Sequence, residues 1–76
     1  MKIEVLGTGC KKCKELYDRT LEAIKLEGKE ANVIKEEDII KIMEAGLIST
    51  PGLRIDGEVV SYGKVPKVEE IRKYIK

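Results

Sequence analysis

Two cysteines, Cys10 and Cys13, are the residues of this 76-residue chain whose type and spacing could do covalent chemistry. They stand as Gly9-Cys10-Lys11-Lys12-Cys13, where an apolar alternation gives way to a helical period. That position puts the first sulfur at the mouth of a helix and the second one turn inside it, the arrangement a dithiol needs to open and close reversibly. Residues three apart on a helix rise by about 4.5 Å along its axis, within the Cα window of about 4.4–6.8 Å for a disulfide, so closure needs little backbone movement. As a mere staple, a bridge over so short a loop restrains the unfolded chain by only about 2 kcal/mol. Three chemistries are open to the pair: thiol–disulfide exchange, soft-metal binding, or none, with the dithiol incidental to an interaction module.

The elements that must hold these sulfurs follow from the apolar pattern. Ile3, Val5 and Leu6 predict a short strand ended by Gly7-Thr8-Gly9, whose glycines free the loop to turn sharply. From Lys11 to about Glu27, Cys13, Leu16, Tyr17, Leu21 and Ile24 recur at helical spacing with charged residues between them, and Gly28 is placed to stop the helix. Within it, Glu15 and Arg19 form a favourable i,i+4 pair. Ala31 to Lys35 predict a second strand, which would return parallel to the first. Asp38 begins a shorter helix with Ile39, Ile40, Ile42, Met43 and Leu47 as its apolar set and Gly46 as terminator. Leu53 and Ile55, then Asp56-Gly57, then Val59, Val60 and Tyr62 read as a hairpin with its turn at Asp-Gly. Pro66 suits the first turn of a terminal helix carrying Val68, Ile71, Tyr74 and Ile75 on one side. Met43 and the three tyrosines, Tyr17, Tyr62 and Tyr74, are expected in the core. The order βαβαββα spans residues 1–76 as one α/β domain.

Composition excludes several function classes. Fifteen lysines and arginines against 14 acids leave a formal charge of +1, too little field to gather nucleic acid or anionic lipid. No apolar run approaches the ~20 residues that span a bilayer, and Met1–Leu6 lacks the core of a signal peptide, so a cytoplasmic setting is expected. In that compartment cysteine pairs are seldom structural. No cofactor or resident metal is expected, and the chain is expected to act as a monomer.

At a helix start the unpaired N–H groups and the dipole, equivalent to about half a positive charge, favour an anion. Cys10 is placed to hold it as thiolate, and Lys11 and Lys12 to lower its pKa from the free value of about 8.5. The chemistry then expected is attack by Cys10 on a substrate disulfide, followed by attack of Cys13 on Cys10 to release the product.

The element order, the CxxC after the first strand and Thr50-Pro51 just before the third strand together resemble the thioredoxin fold. The likeness is narrower to its small archaeal and bacterial thioredoxin-like, or glutaredoxin-like, members. The resemblance covers the whole chain. It implies a four-stranded mixed sheet, with a parallel first pair and an antiparallel second pair, between helices on both faces. It further implies a cis bond before Pro51, and a groove in which Gly9, Thr50 and Pro51 meet an extended substrate. Its expected partners are disulfide-containing proteins and a thioredoxin-reductase-type electron donor. The chain departs from the usual Trp-Cys-Gly-Pro-Cys in having no aromatic before Cys10 and two lysines between the sulfurs, and from the glutathione-using Cys-Pro-Tyr-Cys as well. Gly52 and Arg54, following the proline, are expected to give the groove its own polarity.

The alternative is a metallochaperone-like module, because Gly7-Thr8-Gly9-Cys10-Lys11-Lys12-Cys13 at a strand-to-helix junction also resembles the loop that holds Cu(I) in heavy-metal-associated domains. Those run βαββαβ and end on a strand, and a zinc site would need two further ligands in a chain without histidine.

Overall fold

The computed structural model describes residues 1–9, 11–47 and 49–76. Along these, the chain forms β1 (Lys2–Leu6), α1 (Lys11–Glu27), β2 (Asn32–Glu36), α2 (Ile39–Glu44), β3 (Gly52–Ile55), β4 (Glu58–Tyr62) and α3 (Val68–Ile75). The strands make one sheet in the order β2-β1-β3-β4. β1 runs parallel to β2 and antiparallel to β3, which runs antiparallel to β4. This is the mixed α/β sheet expected of a minimal thioredoxin fold.

Side-chain alternation along β1 sorts the core into two layers. Ile3 and Val5 join Leu53, Ile55, Leu16, Ala23, Ile71 and Ile75 on the face covered by α1 and α3. Leu6, on the opposite face, packs with Ile42 and Leu47 under α2. The turns behave as their residues dictate. Gly28 and Gly46 take positive φ of 64° and 85° just past the ends of α1 and α2, where a left-handed residue satisfies the last carbonyls. Asp56 and Gly57, with φ of 48° and 87°, form the hairpin turn. The Asp56 carboxylate also accepts from the Lys2 amide at 2.8 Å, and its own amide donates to the Lys2 carbonyl at 2.8 Å. The hairpin is thereby clamped to the start of β1.

Several expectations are corrected. The buried face of α1 is Cys13, Leu16, Thr20 and Ala23, and Leu21 faces outward. Thr20 enters the core because its hydroxyl is satisfied within the helix, donating to the Leu16 carbonyl at 2.7 Å. α2 is only six residues long, enough to bury one side chain, Ile42; Ile39, Ile40 and Met43 are exposed, Met43 to 67%. Tyr62 and Tyr74 are likewise on the surface, and Tyr17 is half-buried. Pro66 stands one residue before the cap Lys67 rather than within the first turn of α3. Arg19, which helical spacing sets beside Glu15, directs its guanidinium to the carbonyls of Val65 and Pro66 at 3.3 and 3.1 Å, tying α1 to the approach of α3.

Candidate active site

β1 ends at Leu6, and the loop Gly7–Gly9 delivers the chain to the start of α1 at Lys11. Gly7 extends the pairing of β1 with β2, its amide donating to the Glu36 carbonyl at 2.9 Å. Cys10, the expected attacking sulfur, lies outside the described residues. Cys13 is buried at 5% exposure on the inner face of the first turns of α1. Its sulfur packs directly on Gly7: a methyl group there would overlap Cys13 Sγ and stand 3.2 Å from Cys13 Cβ. The same methyl would lie 3.9 Å from the Pro51 Cα. Gly7 is therefore the spacer across which Cys13 faces the start of β3. Sequence reading took Gly7 only as a residue that lets the loop turn; the close approach comes from β1, α1 and β3 converging, which no local pattern encodes.

The Thr50-Pro51 peptide bond is cis. Pro51 is buried, its carbonyl accepts from the Gly63 amide at 2.9 Å, and Thr50 is exposed beside it. Gly9, also exposed, has φ 84° and faces the carboxylate of Glu37, whose Oε2 lies 3.0 Å from where a Gly9 methyl would sit. Lys11 and Lys12 are exposed at the start of α1. The fold thus brings Gly7, Cys13 and Pro51 together at one end of the central strands, while Lys11 and Lys12 at the start of α1 and Thr50 beside Pro51 are exposed.

Gly52 and Arg54 do not lend the groove polarity. Gly52 is buried beneath Leu47, whose Cδ1 would stand 2.5 Å from an added methyl. Arg54 turns to its cross-strand partner Glu4, donating from Nε to Oε1 at 3.0 Å and from NH2 to Oε2 at 2.6 Å. The hydrogen bonds from Arg54, outweighing burial, hold the Glu4 carboxyl below its ordinary range, and Glu4 in turn raises the Arg54 pKa.

A cleft of about 230 Å³ is lined by Val5, Gly7, Gly9, Cys13, Lys14, Lys35 and Glu37. Lys35 is held there, its ammonium 4.4 Å from the centre of the Tyr17 ring. Lys35 and Glu37 carry no local signal in the sequence: they lie at and just past the end of β2, remote from the cysteines until the parallel pairing of β1 and β2 brings them alongside. Among the described residues no group of three or more metal-ligating side chains converges.

A parallel β1–β2 pair joined by a helix that begins beside a buried cysteine, set against a cis proline at the head of the antiparallel pair, defines a thioredoxin-fold redox domain. The chain belongs to the thioredoxin family, as the family model described as "Thioredoxin domain" matches residues 1–76. It is 43% identical over 75 residues to a thioredoxin of Methanothermobacter thermautotrophicus, spanning 99% of this chain and 97% of that one. It is 38% identical over 74 residues to a thioredoxin of Methanocaldococcus jannaschii, spanning 97% and 85% respectively. Membership supports a general thiol–disulfide oxidoreductase role, with protein disulfides as substrates and a reductase as donor. No helix among the described residues is long and apolar enough to cross a membrane. The order βαβαββα, ending on α3, also departs from the βαββαβ order of the metallochaperone reading.

Proposed function

We propose that this chain is a single-domain, monomeric protein-disulfide reductase and electron carrier, with Cys10 as attacking thiolate and Cys13 as resolving cysteine. The observation that carries the reading is the burial of Cys13 against Gly7, across from Pro51, in the first turns of α1. A resolving thiol is best kept from outside disulfides while remaining within reach of its neighbour three residues earlier. In the first step the Cys10 thiolate attacks one sulfur of the substrate disulfide; the S–S bond breaks and the departing substrate sulfur takes up a proton. In the second, the Cys13 thiolate, having given up its proton, attacks Cys10 Sγ. The mixed disulfide breaks, the second substrate thiol leaves, and the Cys10–Cys13 bond forms. Two electrons have passed to the substrate, and a reductase-type donor restores the dithiol.

Lys11 and Lys12 favour the thiolate at Cys10 by their positive charge beside the helix start. Gly9, Thr50 and Pro51 line the path of an extended substrate, Thr50 offering its backbone in the manner of an added strand. The setting is a cytoplasm, where reductants keep cysteine pairs exchangeable. Insulin reduction with dithiothreitol as donor tests the reading. Catalysed turnover that vanishes in Cys10→Ser supports it, and turnover that persists in Cys10→Ser overturns it.

A further inference from the structure

The hairpin turn, at the end of β3 remote from Pro51, carries a reactive pair that the redox chemistry leaves unused. Of the three aspartates and one asparagine in the chain, Asp56 alone is followed by glycine. Asp18, Asn32 and Asp38 precede Arg19, Val33 and Ile39, whose side chains crowd the amide nitrogen beside them. Asp56 and Gly57 are both exposed, and a methyl group built on Gly57 would meet nothing within 4 Å. Among the described residues no hydrogen bond holds the Gly57 amide. That nitrogen is the nucleophile that closes an aspartyl residue into a succinimide, and its surroundings are open. The restraint on the pair comes from the main chain of β1. The Lys2 amide donates to Asp56 Oδ1 at 2.8 Å, and the Asp56 amide donates to the Lys2 carbonyl at 2.8 Å.

We propose that Asp56-Gly57 is a site of spontaneous isoaspartate formation, and that the Lys2 main chain is the latch that sets its rate. When the carboxyl group leaves the Lys2 amide, the Gly57 nitrogen attacks Asp56 Cγ. The N–Cγ bond forms, the nitrogen gives up its proton and the hydroxyl departs, so one water is lost. Water then opens the five-membered ring. Attack at Cγ restores aspartate, whereas attack at the former main-chain carbonyl breaks its bond to nitrogen and leaves isoaspartate. The water returned balances the water lost, and nothing is oxidised or reduced. The product carries one more main-chain atom between β3 and β4, which a two-residue turn at φ of 48° and 87° does not accommodate. Its free α-carboxylate is the group that an S-adenosylmethionine-dependent isoaspartyl methyltransferase esterifies.

The test incubates the folded protein at neutral pH below its unfolding temperature. Isoaspartate is counted by enzymatic methyl transfer from S-adenosylmethionine and located by peptide mapping with electron-transfer fragmentation. It is expected at Asp56 and not at Asp18, Asn32 or Asp38, and it forms more slowly than in a free peptide of residues 54–59. Lys2→Pro removes the latching donor at the first residue of β1, a strand position that tolerates proline. A short N-terminal extension, carried by the control as well, keeps Met1 in place. The substitution raises the rate about fivefold, the scale of one hydrogen bond, while Lys2→Gln, which keeps the amide, leaves it unchanged. Isoaspartate absent from Asp56 in Lys2→Pro, or equal rates in Lys2→Pro and Lys2→Gln, overturns the proposal. A second measurement needs no variant: in the wild type the Lys2 amide exchanges with solvent deuterium more slowly than the Gly57 amide after correction for intrinsic rates. Equal exchange at the two amides would show that no latch holds the turn and would overturn it independently.

Discussion

Replacing Gly7 by alanine tests the contact that seats the resolving cysteine. The new methyl would overlap Cys13 Sγ and approach Cys13 Cβ to 3.2 Å. Neither partner can yield freely: the Gly7 amide is bonded to the Glu36 carbonyl at 2.9 Å, and Cys13 is fixed in the first turns of α1. The sulfur must leave its position or β1 must part from α1. Overpacking of this kind costs about 1–3 kcal/mol, and for a domain of this size about 2 kcal/mol lowers Tm by roughly 8–16 °C. The assay is thermal or urea unfolding of the reduced protein in a double-mutant cycle. Gly7→Ala is measured alone, Cys13→Ala alone, and the two together. Removing the sulfur opens the space that the methyl needs, so Gly7→Ala costs about 1 kcal/mol less in the Cys13→Ala background, the remainder reflecting the close Cβ pair. An identical cost in both backgrounds would refute the contact between Gly7 and the buried thiol.

Other substitutions probe the frame around the site. Arg54→Ala strands the buried Glu4 carboxylate and destabilises the protein by about 1–3 kcal/mol at neutral pH, read by urea unfolding. Because Arg54 holds the folded-state Glu4 below its ordinary 4.5, their pairing contributes stability at neutral pH that is lost as pH falls below that value. The wild type therefore loses more stability than Arg54→Ala on acidification between neutrality and pH 3, and parallel pH profiles would contradict this. Ile71→Ala, at a fully buried position under α1, costs about 2–5 kcal/mol by the same measurement. Gly57→Ala forces a side chain into φ 87° and costs about 1–2 kcal/mol, with no cavity or lost contact to share the effect.

The order of elements was legible because each boundary is chemically marked. Asp38 caps α2, its side chain accepting from the Ile40 amide at 2.9 Å, and Gly28, Gly46 and Asp56-Gly57 take the backbone conformations that their types favour. What could not be read locally is which apolar residues find a neighbour. Ile39, Ile40 and Met43 have the periodicity of a core face, yet a six-residue helix over one end of the sheet has room to bury only Ile42. Thr20 reads as polar and is buried, since its hydroxyl is satisfied inside α1. The same limit applies to the site. The cysteine spacing and Thr50-Pro51 announce themselves through the resemblance, whereas Gly7, Lys35 and Glu37 acquire their places only when β1, β2 and α1 meet.

The most direct measurement of the central claim is trapping. A Cys13→Ser protein, reduced and then mixed with a disulfide-bonded protein substrate, accumulates a covalent adduct through Cys10, because nothing remains to resolve it. Addition of dithiothreitol releases the adduct, and Cys10→Ser forms none. If the adduct instead forms through Cys13 in the Cys10→Ser protein, or if Cys13→Ser yields no adduct while still reducing the substrate, then the division of labour between an exchanging Cys10 and a sheltered Cys13 is wrong.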